Sequence, residues 1–313
     1  MLTYNVLIAD GLEEIGQAIL HSSASVDDRI GISPEELLQI IKDYDAMIVR
    51  SRTKVTAQVL AAAKRLKVIG RAGVGVDNID LEAAKAHGVT VVNAPTSTSL
   101  AVAELTLGLM LAMAREIPRA DAGMKAGEWL KKKLAGIELY GKTLGIIGMG
   151  RIGAEVGNRA AVFGMSVLGY DPLIPAEEVQ RRGAEPVSLD DLYARSDFIS
   201  LHLPLTDETR SMVAEQAFGS MKRGVRILCA ARGGIIDESA LLAALESGQV
   251  AGAALDVFAS EPPGASKLIK HPKVVATPHV GAQTAEAQSR ASEDIANEVL
   301  AALNGEPLRW KIV

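Results

Sequence analysis

Two glycine-rich segments hold the residue types that handle nucleotides and small anions. GMGRIG, residues 148–153, sets Gly148, Gly150 and Gly153 in the spacing G-x-G-x-x-G. RAGVGVDNID, residues 71–80, carries only a G-x-G, Gly73 and Gly75. In a dinucleotide loop the first glycine makes the tight turn and the second lets the backbone approach a pyrophosphate. The following helix offers free N–H groups and the positive end of its dipole. The later loop meets these demands: residues 143–147 read as a strand before it, 151–164 as a helix behind it and 165–171 as a second strand. Asp171 closes that second strand, 18 residues past Gly153, close to the roughly 20 expected of an acid that takes the ribose hydroxyls. Its carboxylate would repel a 2′-phosphate, and Pro172 and Leu173 follow with no arginine at hand. The pattern therefore favours NAD over NADP; the alternative is a glycine turn in a fold that binds nothing.

The earlier loop is a poor match. Asn78 stands in the place of the third glycine, and the next strand-like run ends on Asn93 rather than on an acid. Its glycines bare the backbone instead. The N–H groups near Val74, Gly75 and Val76 can then hold a carboxylate, with Arg71 beside them for a second anion. Arg50 and Arg71 end successive strands, where open α/β sheets form their crevices. The run Lys131-Lys132-Lys133 is either a third anion contact, centred on Lys132, or a solvated surface cluster.

These residues need a rigid frame, and the 313-residue chain supplies one or two domains. Hydrophobic residues make up 48% and charged residues 23%, ordinary for a globular protein. The net charge of −5 excludes a broad nucleic-acid surface. A single cysteine, Cys229, cannot form an internal disulfide, which favours a reducing compartment. The N-terminus has no basic, cleavable leader, and the longest apolar stretch, about 100–114, is too short to span a bilayer. A cytoplasmic protein without a membrane or nucleic-acid partner is expected, and no metal site is read.

Short apolar runs alternate with amphipathic segments. Strands are expected at 4–9, 45–50, 66–70 and 89–93, with helices at 33–44, 56–65 and 81–88 between them. Such repetition is the mark of a parallel sheet covered on both faces. After a turn-rich break at 93–99 comes SLAVAELTLGLMLAMAR, a helix at 99–115 apolar nearly all round, which belongs in a core or a subunit interface. A second series follows, with later strands at 197–204, 225–231, 251–258 and 273–279, and a closing helix at 284–305. The fold class is α/β, with two doubly wound parallel-sheet domains, Rossmann-like and flavodoxin-like.

CAARGGIIDE (229–238), AALDVFASEPP (253–263) and TPHVGAQT (277–284), taken with the fingerprint, resemble the D-isomer-specific 2-hydroxyacid dehydrogenases. VRSRTKVT (49–56), GRAGVGVDNIDLEAA (70–84), NAPTSTSLAVAELTLG (93–108), WLKKKLAG (129–136) and GKTLGIIGMGRIG (141–153) extend the likeness over nearly the whole chain. Within the family they look most like members that oxidise 3-phospho-D-glycerate.

The resemblance implies a catalytic trio of Arg232, Glu261 and His279. His279 would take the hydroxyl proton, Glu261 would fix its tautomer and steady the imidazolium, and Arg232 would grip the substrate carboxylate. Singly, each is a common loop or strand-end residue. It also implies that Arg151 and Ile152 give N–H groups to the pyrophosphate, and that Val74, Leu203, Ala230, Asp256, His279 and Gly281 lie along the nicotinamide half. Asp256 would bind the carboxamide. His202 would line the cofactor cleft, unless it is only a strand-end histidine with a structural hydrogen bond. Arg50 and Arg71, with Gly73, Val74 and Gly75, would hold a small anionic 2-hydroxy or 2-oxo acid, and Lys132 would reach a neighbouring subunit's site.

By the same likeness, 1–95 plus 287–313 form a discontinuous substrate domain and 96–286 the NAD domain, with the active site in the cleft between them. The 99–115 helix and the arm after it would make a homodimer or homotetramer. Cys229 and Gln283 depart from the usual Asn and Ser, and tuning rather than loss is expected. The chain stops at Val313, where longer relatives add regulatory domains, so feedback by serine through such a domain is not expected. Alternatives are a hydroxypyruvate or glyoxylate reductase, and an NAD-sensing binding protein on the same scaffold.

Overall fold

A computed structural model describes residues 4–313. The chain forms two compact units, one of residues up to Thr98 together with Ala282–Val313, the other Ser99–Gly281. The first unit is built on β1 (Asn5–Ile8), β2 (Ser25–Asp28), β3 (Ala46–Val49), β4 (Val68–Arg71) and β5 (Thr90–Asn93). These pair in parallel in the order β2-β1-β3-β4-β5, the flavodoxin-like winding. The second holds β6 (Thr143–Ile147), β7 (Ser166–Tyr170), β8 (Glu185–Pro186), β9 (Phe198–Leu201), β10 (Val225–Cys229), β11 (Val250–Leu255) and β12 (Val274–Ala276). Their order, β12-β11-β10-β9-β6-β7-β8, is the Rossmann winding extended by one strand. Two parallel-sheet α/β domains are thus what the alternation of runs predicts and what the chain forms.

Both sheets are buried on both faces, which is why their strands read as continuous apolar runs. In the first, Leu7, Met47, Val49 and Ile69 face Leu37, Val59 and Leu60. Their neighbours Val6, Ile8, Ala46 and Ile48 face Ile295, Val299 and Leu303 of the C-terminal helix. That helix, Ala285–Asn304, starts where the Thr284 hydroxyl accepts from Ala287 N–H at 3.1 Å, and Gly305 ends it at φ +73°. In the second sheet Ile146, Phe198 and Leu228 pack under Ala103, Leu107 and Met110 of helix Ser99–Ala114. On the other face Ile147, Ile199 and Ile227 meet Leu192, Phe218 and Leu241.

Two strands went unread in the sequence. β2 (SVDD) and β8 (EP) are short, polar edge strands, so neither carries an apolar run. No helix of the described residues is long and apolar enough to cross a membrane. Among the same residues no cluster of three His, Cys, Asp or Glu could hold a metal ion.

Candidate active site

The glycine fingerprint sits at the C-terminal end of β6. Gly148 takes φ +97°, and a Cβ there would collide with the His202 carbonyl. Gly150 is the N-cap of helix Arg151–Val162, and a Cβ added to it would point into open space. The first intrahelical bond runs from Ala154 N–H to the Gly150 carbonyl, so the N–H groups of Arg151, Ile152 and Gly153 precede the ladder. Such a cradle fits a pyrophosphate. Asp171 follows β7 directly, and its carboxylate accepts from Met149 N–H and Leu173 N–H, both at 2.9 Å. The acid is thereby fixed beside the glycine loop, at the ribose position of such folds. The structure adds one arginine that the local sequence around Asp171 did not reveal. Arg182 donates to the Met149 carbonyl at 2.6 Å and to Glu178 at 2.7 Å. Glu178 also pairs with Arg181, so one carboxylate is shared by two arginines.

His202 directly follows β9 next to this loop, with its N–H on the Ile147 carbonyl at 2.8 Å. Its Nε2 lies 2.8 Å from Ser200 Oγ, while Nδ1 is buried with no partner among the described residues. Burial pushes the imidazole down to about 4, so it is neutral at working pH. Leu203 follows it, its side chain next to Gly148, and Ala230 lies just past β10, 9% exposed.

The chemistry-bearing side chains of the second unit come from three successive loops. His279 Nδ1 lies 2.7 Å from Glu261 Oε2, and Glu261 Oε1 accepts from Phe258 N–H at 3.1 Å. The glutamate thus fixes one ring nitrogen and leaves Nε2 for a substrate. His279 itself sits at φ +53°, a left-handed conformation that a side chain rarely takes without support. The support is Asp256, fully buried just past β11. Its carboxylate accepts from Thr277 Oγ1 at 2.6 Å, Val280 N–H at 2.9 Å and Gly281 N–H at 2.8 Å. Its carbonyl accepts from His279 N–H at 2.8 Å. Asp256 therefore laces the whole turn 277–281 that presents the histidine, and Gly281 is one of its anchors.

Arg232 follows β10 in a tight turn, and its Nη1 donates to the Ala231 carbonyl at 2.7 Å. A Cβ at Gly233 would collide with the Phe258 carbonyl, so only glycine lets this turn lie against the loop that leads to Glu261. Beneath it Cys229 points its Sγ at the Arg232 carbonyl, 3.7 Å away. Burial pushes that thiol up to about 11, so it stays protonated and packs rather than reacts.

In the first unit, Arg50 and Arg71 stand at the C-terminal ends of β3 and β4. Gly73 sits at φ +144°, a conformation that L side chains rarely adopt, which favours glycine there. The segment Gly73–Val76 is neither strand nor helix, and the Val74 carbonyl is held by the Asn93 amide at 2.7 Å. Gly75 lies within it. Lys132 occupies an exposed turn, Lys131–Lys133, in the second unit.

Fold, fingerprint and the His279–Glu261 pair define an NAD-binding oxidoreductase scaffold. Residues 107–281 match the family described as "D-isomer specific 2-hydroxyacid dehydrogenase, NAD binding domain". The chain belongs to this family. It is 51% identical over 302 residues to the D-3-phosphoglycerate dehydrogenase of Methanocaldococcus jannaschii, covering 96% of this chain and 58% of that protein. The chain thus spans little more than half the length of the curated relatives it matches. A glyoxylate reductase from Paecilomyes thermophila superposes with a TM-score of 0.91 at 33% identity, covering 100% of this chain and 99% of that one. The D-lactate dehydrogenase of Aquifex aeolicus, solved with NAD and lactic acid, gives 0.84 at 31% identity, with 96% of each chain covered.

Proposed function

We propose that this chain oxidises 3-phospho-D-glycerate to 3-phosphohydroxypyruvate, the first step of the phosphorylated route to serine. The observation that carries the reading is His279 bonded to Glu261 at 2.7 Å within an NAD-binding domain. His279 Nε2 takes the proton of the C2 hydroxyl as that carbon becomes a ketone. NAD, when bound, accepts the hydride released from C2. Glu261 holds Nδ1–H and stabilises the imidazolium that forms. Arg232 grips the C1 carboxylate with a planar fork. The backbone of Gly73, Val74 and Gly75 bears on the same end, while Arg50 and Arg71 take the phosphate. In the reverse direction the imidazolium returns its proton to the oxygen, and the same residues serve a reductase.

Likeness to the 3-phosphoglycerate dehydrogenases supports the phosphorylated substrate. A hydroxypyruvate or glyoxylate reductase is the second reading, favoured by the match to the Paecilomyes enzyme. Domain roles follow the same division: the first unit binds substrate and the second NAD. Exposed apolar side chains at Leu100, Ile117, Met124 and Trp129 support a homodimer or homotetramer. A single buried thiol is in keeping with the cytoplasm.

The test is NADH formation from 3-phosphoglycerate against lactate, glycerate and 2-hydroxyglutarate, ranked by kcat/KM. A plain acid in first place removes the substrate assignment. Arg71→Ala separates the two enzyme readings, because it costs the phosphorylated acid far more than the plain one if the guanidinium meets phosphate. Equal losses favour the reductase.

A further inference from the structure

Asn78, in the place where a dinucleotide loop would have its third glycine, has a task of its own. Its side-chain amide donates to the Arg50 carbonyl at 2.9 Å and to the Thr53 carbonyl at 2.7 Å. On the other side of the same loop stands Asp10, just past β1. Its carboxylate accepts from Arg50 N–H at 2.7 Å, Thr53 N–H at 3.1 Å and Thr53 Oγ1 at 2.5 Å. Residues 50 and 53 are therefore gripped at both backbone poles, N–H by Asp10 and C=O by Asn78.

The clamp treats the two arginines of VRSR differently. Arg52 is spent: Nε goes to Asp10 at 3.1 Å, Nη2 to the Ala9 carbonyl at 2.8 Å and Nη1 to the Ile32 carbonyl at 3.3 Å. Arg50 is not. Its Nη2 is buried with no partner among the described residues, and Glu13 is 3.9 Å from Nη1. A buried guanidinium nitrogen left without an acceptor is costly, and an incoming anion relieves that cost. Asn78 lies three residues beyond Gly75, so the amide that fixes the Arg50 loop is rooted in the loop of the second anion contact. Backbone bonds secure the root: Val55 N–H donates to the Asn78 carbonyl at 2.8 Å, and Asp80 N–H to the Val55 carbonyl at 2.9 Å. Glycine at 78 would offer no side-chain donor, and aspartate would turn an acceptor toward two carbonyls.

We infer that Asn78 and Asp10 are positioning residues that hold the Arg50 guanidinium in register for a phosphate, and so set the preference for phosphorylated over plain 2-hydroxy acids. This rests on the reading of Arg50 as an anion binder.

A double-mutant cycle between positions 78 and 50 tests it. Asn78→Ala removes two hydrogen bonds, and KM for 3-phosphoglycerate rises roughly 5–30-fold. The same variant keeps kcat and the KM for NAD, and its KM for glycerate stays near wild type. Asn78→Asp is at least as damaging as Asn78→Ala. In an Arg50→Ala background Asn78→Ala adds nothing further. Asp10→Asn, which keeps the shape of the side chain, raises the same KM and serves should the position-78 variants fold poorly. Equal losses for both acids, or additive effects in the cycle, overturn the inference while the function stands. If Arg50→Ala itself leaves KM for 3-phosphoglycerate unchanged, the underlying reading of Arg50 falls first.

Discussion

Replacing Asp256 by asparagine isolates the contribution of one buried carboxylate to the presentation of His279, the proposed acid/base. The change keeps size and shape but turns one acceptor oxygen into a donor. Two orientations of the new amide are available. With its NH2 group at the Oδ2 position, Gly281 N–H loses the acceptor now 2.8 Å away. With NH2 at the Oδ1 position, Thr277 can turn its hydroxyl round, but Val280 N–H loses the acceptor at 2.9 Å. Either way one buried backbone donor meets another donor. A bond to a charged acceptor contributes about 1.5–3 kcal/mol, and an unsatisfied buried donor costs about 1–3 kcal/mol. A loss of roughly 2–3 kcal/mol follows, equivalent to a fall in Tm of about 4–12 °C for a unit of this size. The same turn holds His279 at φ +53°, so its loosening would misplace the proposed base. We expect kcat to fall about 10–100-fold, since a small misplacement of a catalytic group costs on that order. Steady-state NADH formation and thermal unfolding, measured on one preparation, decide the matter. An Asp256→Asn variant with wild-type Tm and kcat within twofold refutes the reasoning. A rise confined to the KM for NAD would show that the carboxylate serves the cofactor and not the turn.

His279→Gln should lower kcat by roughly 10²–10⁴-fold while NAD still binds, the range for loss of a general acid/base. Unchanged turnover removes the mechanism, and no turnover on any 2-hydroxy acid by the wild-type chain, with NAD bound, favours a sensor. His202 gives stability a pH dependence of known sign. Its folded-state value of about 4 lies below the ordinary 6.5, so between these limits the unfolded chain binds the extra proton. Its contribution is complete above pH 6.5 and is lost as pH falls toward 4, in all roughly 3 kcal/mol. Unfolding free energies of the wild type and His202→Asn across that window should differ in slope by up to one proton; parallel curves refute a buried neutral imidazole.

What could be read from the chain without its fold was whatever rests on local spacing. Gly148, Gly150 and Gly153, a strand before and a helix after, and Asp171 at the end of the next strand are all set within a short stretch of chain. The parallel sheets were legible for a similar reason: strands buried on both faces must be continuously apolar, and the helices between them must be striped. β2 and β8 escaped because their segments, SVDD and EP, carry no apolar run, whereas the opposite edge strands β5 and β12 do. Tertiary structure alone decided which of two similar side chains is consumed by local hydrogen bonds and which keeps a guanidinium nitrogen without a partner among the described residues. Arg50 and Arg52 are two residues apart and chemically alike, yet Asp10, Ala9 and Ile32 consume Arg52. Likewise Asp256 could be read as a cofactor contact by resemblance, but only the fold shows Thr277, Val280 and Gly281 gathered on its carboxylate. Composition and periodicity encode which face of an element is buried. They do not encode which donors converge on an acceptor tens of residues away, because that convergence exists only once the loops at the strand ends have been brought together.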